Sequence, residues 1–186
     1  WTLVEGPHGC GLAMTPQRQS AACKAFAGTE SLTGQPLQKL AAMIHSWDPF
    51  NAAIGLAAIN AHYNRFDLDG GAENGLDCLE KSLDPVTIVG RFPSLDQHFN
   101  HYRVIERRGE YDPENGEFPE SAAAWLLPES EGVVITSSSL IDHSLPNLLS
   151  SCHQTAALVG PGTPLSSRLF DYGLNILSGL VIEDVD

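Results

Sequence analysis

Apolar residues follow two patterns along this chain. Up to Phe66 they fall at hairpin and helix spacing, whereas from Leu76 they come as short solid runs separated by polar, helix-patterned stretches. Trp1 to Gly6 and Cys10 to Thr15 flank Pro7-His8-Gly9, and two apolar runs around a Pro/Gly turn predict a β-hairpin. Residues 16 to 35 are small and polar, with a partial helix expected around Ser20 to Phe26. Pro36 stands at the first turn of a helix that carries Leu37, Leu40, Ala41 and Ile44 at helical spacing. Pro49 to Phe66 is the strongest helix, with Phe50, Ile54, Ala57 and Ala61 on one face and Leu56, Ile59, Tyr63 and Phe66 on a second. A helix apolar on most of its surface is buried, Gly55 permits a close neighbour, and Asn51 and Asn60 then need partners. Asp67 to Gly75 is a linker of turn formers.

From Leu76 the order is a helical piece to Leu83, a strand at Val86 to Gly90, a helix at Ser94 to Asn100 and a strand at Tyr102 to Glu106. An acidic loop, Arg107 to Pro119, precedes a helix from Glu120 to Leu127. A strand at Gly132 to Ile135, a helix at Pro146 to Cys152 and a strand at Thr155 to Val159 follow. Leu165 to Tyr172 is helical, and Asn175 to Ile182 supplies one or two last strands. Strands that alternate with helical stretches make βαβ units, and these lie in a parallel sheet. The fold class is therefore α/β: a Rossmann-like parallel sheet domain over residues 76–186, preceded by a small α+β domain over residues 1–75. The first strand of the sheet ends in Val89-Gly90-Arg91-Phe92-Pro93, with one glycine, so there is no NAD fingerprint.

Composition narrows the partners. Of 186 residues 42% are hydrophobic and 18% charged, a globular balance. A formal charge of −13, from 23 acids against 10 bases, argues against nucleic acid or an anionic membrane and allows a cationic partner. No apolar run approaches the roughly 20 residues that cross a bilayer. Cys10, Cys23, Cys78 and Cys152 are widely spaced, which opposes a zinc ribbon or a disulfide scaffold and fits a reducing cytoplasm. The chain opens at Trp1 in what reads as mid-strand, so further N-terminal sequence is expected ahead of it.

Candidate chemistry gathers where strands end. In an open parallel sheet, ligands bind outside the carboxyl ends of the strands. That rule brings Gly90 and Arg91, Glu106, Thr136, Ser137, Ser138, Ser139, and Gly160, Pro161 and Thr163 to one edge, where hydroxyls and N–H groups suit oxygen-rich or anionic groups. Asp142 and His143, adjacent O and N donors, are the metal candidates beside them. Glu5, just before the hairpin turn, is placed to reach the cleft between the domains. Other donors read differently: Cys152 and His153 end a helix, His8 faces solvent, Cys10 is a buried apolar group, and His98 and His101 lie on a solvated helix surface. The acids of Asp67 to Gly75 lack the further ligands of a calcium loop. No nucleophile elbow, H-E-x-x-H or Walker sequence is present.

The residues resemble a known family. Thr2-Leu-Val-Glu5, Gly11-Leu-Ala-Met-Thr-Pro16, and Asn51 with Ile54-Gly-Leu-Ala-Ala-Ile-Asn-Ala61 are similar to the N-terminal domain of the DUF4213/DUF364 proteins. Val86-Thr-Ile-Val-Gly90, Val104-Ile-Glu106, Leu126-Leu-Pro128, Val134-Ile-Thr136 and Leu158-Val-Gly-Pro-Gly-Thr-Pro164 are similar to their C-terminal domain. The resemblance implies an enolase-N-terminal-like α+β domain on a Rossmann-like domain, with a site between them, and a family name of heavy-metal chelation. Where the family has Thr-Gly-x-Thr-Leu-x-Asn-Gly-Thr, this chain has Thr136-Ser-Ser-Ser-Leu-Ile-Asp142-His-Ser144, so a carboxylate replaces an amide and a histidine replaces a glycine. The expected ligand-binding set is thus Glu5, Asn51, Gly90, Arg91, Glu106, Thr136 to Ser139, Gly160, Pro161 and Thr163. A divalent transition metal is the expected cofactor, with Asp142 and His143 at it. The expected function is binding of a metal ion or a metal complex in the interdomain cleft. The alternative is an enzyme that binds a small anionic metabolite on the same loops. Partners are then a metal ion or a small anionic or metal-complex ligand, with a homodimer as the allowed assembly.

Overall fold

The computed structural model describes residues 1–16, 32–71, 73–107, 109 and 111–183. The helix expected around Ser20 to Phe26 lies outside these residues. Strands β1 (Thr2–Glu5) and β2 (Cys10–Ala13) form the hairpin, antiparallel with Glu5 opposite Cys10. Helix α1 (Leu37–Ala41) starts behind Pro36 and tightens into a 3-10 turn, Ala42–His45. Helix α2 (Pro49–Tyr63) is capped by Asp48, whose carboxylate accepts from the Phe50 and Asn51 N–H groups. Its alanines are buried, and a Cβ on Gly55 would run into the Ile44 backbone, one on Gly11 into the Ala57 carbonyl. The hairpin and the Ala42–His45 turn therefore press on α2 at backbone distance.

Six parallel strands make the sheet: β3 (Val86–Val89), β4 (Tyr102–Glu106), β5 (Glu117–Pro119), β6 (Gly132–Thr136), β7 (Thr155–Val159) and β8 (Ile176–Ser178). Their spatial order is β5-β4-β3-β6-β7-β8, the doubly wound order, with β3 pairing β4 on one side and β6 on the other. Both faces are covered. Val86, Ile88, Val134 and Ala157 join one core with Leu76, Leu79 and Phe99. Ile105, Val133, Ile135, Ala156 and Leu158 join the other with Leu127, Leu145 and Leu148. Successive strand residues point to opposite faces, so a strand covered twice needs an unbroken apolar run.

The connections are shorter and tighter than helical spacing predicts. Leu76 to Leu83 holds a single 3-10 turn at Gly75–Cys78, Ser94 to Asn100 one at Leu95–Gln97, and Leu165 to Tyr172 one at Ser167–Tyr172. Glu120 to Leu127 divides into a 3-10 turn and α3 (Ala123–Leu126), and α4 is Leu145–Ser150. The acidic loop hides β5, which follows Gly116 at φ 79. Helix α2 stops at Tyr63, and Phe66 is 47% exposed beyond it.

The stop is made by Asn64, 1% exposed. Its amide donates to the carbonyls of Thr163 and Leu180, both at 3.0 Å, and accepts from the Leu165 N–H at 2.8 Å. One turn earlier, Asn60 donates to Leu12 O at 2.7 Å and Gly162 O at 2.9 Å. Two amides at the C-terminal end of α2, the second on its cap residue, thus pin the helix and hairpin to the loop that follows β7. Asn64→Ala takes the side-chain partner from three backbone groups, one buried and two part-buried, and should lower unfolding stability by about 3 kcal/mol. Urea unfolding should show a lower midpoint at an unchanged slope, whereas Arg65→Ala, which removes only an exposed pair with Asp67, should stay near the parent. Equal midpoints for Asn64→Ala and the parent would remove this amide as the anchor.

Candidate functional site at the switch point of the sheet

The order of the sheet reverses between β3 and β6, and their last residues are register partners, Val89 with Ile135. The loops that leave these strands diverge and open a crevice. Gly90 takes φ 99, and a Cβ there would come within 2.8 Å of Thr136 Cγ2, so the narrow base of the crevice requires glycine. A cavity of about 300 Å³ sits here, lined by Gly90, Arg91, Glu106, Thr136, Ser138, Ser139 and Asp142, with Met14 from the chain after β2. A second cavity of about 400 Å³ shares Met14, Glu106, Arg107, Ser138 and Asp142 and extends to Thr15, Pro16 and Pro49. The cleft therefore runs from the sheet edge to the end of the hairpin and the start of α2.

Arg107 organises the charges. Its guanidinium pairs with Glu120 through Nε at 2.9 Å and Nη2 at 2.7 Å, and donates from Nη1 to Asp142 Oδ2 at 2.7 Å. The paired fork holds the Glu120 carboxyl below its ordinary value, and Glu120 with Asp142 pushes the guanidinium further up. The other Asp142 oxygen accepts from the Ser144 N–H at 3.0 Å. Glu106 Oε1 accepts from the Arg107 N–H at 2.7 Å. Arg91 reaches Glu117 at 3.1 Å. Thr136 and Ser138 present paired hydroxyls 3.0 Å apart, while the Ser139 hydroxyl turns back to the Thr136 carbonyl.

The structure brings Gly90, Arg91, Glu106, Thr136, Ser138, Ser139 and Asp142 together, and separates the other expected residues from them. Ser137 is buried, pointing at Gly160. Gly160, Pro161 and Thr163 do not face the cavity, because α2 and the hairpin occupy that loop: Thr163 is fully buried and its carbonyl is taken by Asn64. Glu5 is exposed at the hairpin end, and Asn51 bonds Ser46 in the first turn of α2, both outside the cavity lining. Asp142 and His143 do not converge. His143 stands at φ 61, its Nε2 donates to the Ser46 carbonyl at 3.2 Å, and its ring packs on Trp47, facing another cavity. It is therefore no base for Ser138 or Ser139. His98 pairs with Asp77 and His101 with Asp84, each with a different acid. Cys152, its thiol pushed up to about 11 by burial, donates to Leu148 O, and Cys10 is buried in the hairpin. Arg107 and Glu120 escape the sequence reading, although Arg107 directly follows a strand end.

The family model DUF364, described as "Putative heavy-metal chelation", matches residues 74–186, and DUF4213, with the same description, matches residues 1–63. The chain belongs to the DUF364 family. A DUF364 protein of unknown function from Desulfitobacterium hafniense DCB-2 is 34% identical, with a TM-score of 0.80 over 98% of this chain and 75% of its own. A DUF364 protein of unknown function from Pyrococcus horikoshii, 21% identical with a TM-score of 0.71, covers 96% of this chain and 75% of its own and shares the fold. No curated protein matches. Among the described residues no three His, Cys, Asp or Glu side chains are grouped to hold a metal ion, and no helix is long and apolar enough to cross a membrane.

The Arg107–Glu120 pair sets a pH dependence. A carboxylate held below its ordinary value of 4.5 contributes stability that is fully present above that value and fades as pH falls through the lower, folded one. Arg107→Ala should therefore melt below the parent at neutral pH, with the gap closing under acid. Carboxyl NMR titration should show Glu120 moving back up in the variant. A gap independent of pH would mean that Arg107 acts by packing alone.

Proposed function

We propose that this DUF364 protein is a cytoplasmic binder of a small oxygen-rich molecule, a metal chelate above all, in the cleft between the N-terminal unit and the sheet. The observation that carries this reading is the Arg107 guanidinium between Glu120 and Asp142. A resident cation already satisfies the carboxylates that a bare metal ion would need, and a divalent ion beside it would be repelled. Asp142 has one oxygen on Arg107 and the other on the Ser144 N–H. Metal cargo is thus held through the oxygen atoms of its own chelator. Thr136 and Ser138 offer hydroxyls to that chelator, Arg91 and Arg107 offer charge, and Met14, Val89 and Ile105 supply apolar wall. Binding of a chelate accounts for the family name without a protein-built coordination sphere.

Untagged protein titrated calorimetrically with free nickel, citrate and nickel citrate separates the readings. The complex should bind saturably and the free ion should not. Thr136→Val combined with Ser138→Ala should weaken the complex about tenfold, the loss of one to two hydrogen bonds to a charged ligand. Asp142→Asn frees Arg107 from one carboxylate and should tighten binding of the anionic complex. Weaker binding of the free ion in Asp142→Asn, with the parent binding that ion tightly, would make Asp142 a direct ligand and end this reading. Citrate bound as well as its complex, with chemical turnover of it, would favour an enzyme that acts on an anionic metabolite.

A further inference from the structure

On the other side of the Ser137–Leu140 turn and the residues after it lies a cavity of about 550 Å³, between the Ala42–His45 turn, α4 and the Ser167–Tyr172 turn. We propose that it is a second binding site, for a small neutral molecule with an aromatic or aliphatic body. Ile44, Leu140, Leu145, Leu149 and Leu169 make the walls, and the polar groups among its lining residues are imidazoles and hydroxyls. Among the described residues the lining includes no carboxylate, guanidinium or ammonium group, in contrast to the five charged side chains at the switch-point cavity. Moving an ion into such surroundings is costly without a partner, so the lining selects an uncharged ligand. The volume falls in the range of small-molecule sites. A second copy of the chain is a poor occupant, because each brings a formal charge of −13.

His143 is the feature that marks a built site. A non-glycine residue at φ 61 is held there by its bond to the Ser46 carbonyl and by Trp47, whose ring lies 5.0 Å away and whose side chain is otherwise exposed. Strained residues persist where their surroundings over-determine them, and this one sets an imidazole at the cavity wall. Ser139 lines both cavities, so the two sites share one partition.

The test uses the full chain and Nile red, a neutral planar dye, followed by its emission, with sedimentation at the same concentrations. One saturable site is expected, unaffected by nickel citrate and without a change in sedimentation. His143→Gly suits the left-handed backbone, so it should fold at least as well as the parent, yet bind the dye severalfold more weakly. Ser150→Glu adds a carboxylate at the exposed rim and should weaken binding about tenfold. Parent-like dye binding in both variants overturns the proposal. So does dye release as the chain self-associates, which would give the groove to a second copy, and so does competition by nickel citrate, which would make the two cavities one.

Discussion

Everything at the sheet edge depends on two buried amides. Asn60 and Asn64 lie one turn apart at the end of α2, and between them they bond backbone groups of the hairpin, of the loop after β7 and of the chain beyond β8. An α2 that presented only alanine and leucine would slide over an apolar partner with little preference for one register. Backbone carbonyls buried without donors are costly, so the position that satisfies all of them is selected sharply. That position sets Met14 and Pro49 opposite the ends of β4 and β6 and makes a cleft out of what would otherwise be an open crevice.

The charges then follow from geometry. Parallel strands deliver Glu106 and Arg107 from β4, Glu120 from beyond β5 and Asp142 from beyond β6 to the same edge. Three acids and one base meet at this edge, and the planar fork of Arg107 lies between two of the acids, bridging the segments after β5 and β6. The pairs are partly exposed, so they contribute little to stability as isolated bonds. Their larger effect is on chemistry: they decide that the cleft shows a ligand hydroxyls and a guanidinium face, not a bare cluster of acids.

Much of the sheet is readable in the sequence because strands buried on both faces carry unbroken apolar runs, as at Val133–Ile135 and Ala156–Val159. The crossovers are not, since a single 3-10 turn and a short α-helix leave the same few apolar residues at near-helical spacing. Half of the site was readable by the rule of carboxyl ends, which places Gly90 and Thr136 together. Gly160 to Thr163 obeys the same rule and still is not in the cleft, because the rule says where a loop lies and not what covers it. The clue lay in α2, where Asn60 was expected to need a partner; that the partner would be this loop depends on packing between residues far apart in the chain. Asn64 is hidden because the apolar pattern of α2 runs on to Phe66, past the helix's end at Tyr63, and Arg107 because Glu120 and Asp142 lie far from it in sequence.

The segment from Thr136 to Ser144 shows how one stretch can wall two unlike cavities. Ser137 turns inward against Gly160, Ser138 faces the switch point, and Ser139 reaches both sides. Asp142 is then drawn to Arg107, and the left-handed turn at His143 sends the next side chain the opposite way, toward Ser46 and Trp47. Glycine would make that turn without strain but would leave its direction to solvent and thermal motion. A histidine fixed by a carbonyl and an indole commits the backbone, and with it the orientation of Asp142 one residue earlier. The carboxylate that steadies Arg107 in the polar cleft and the imidazole that edges the apolar cavity are therefore set by one backbone conformation.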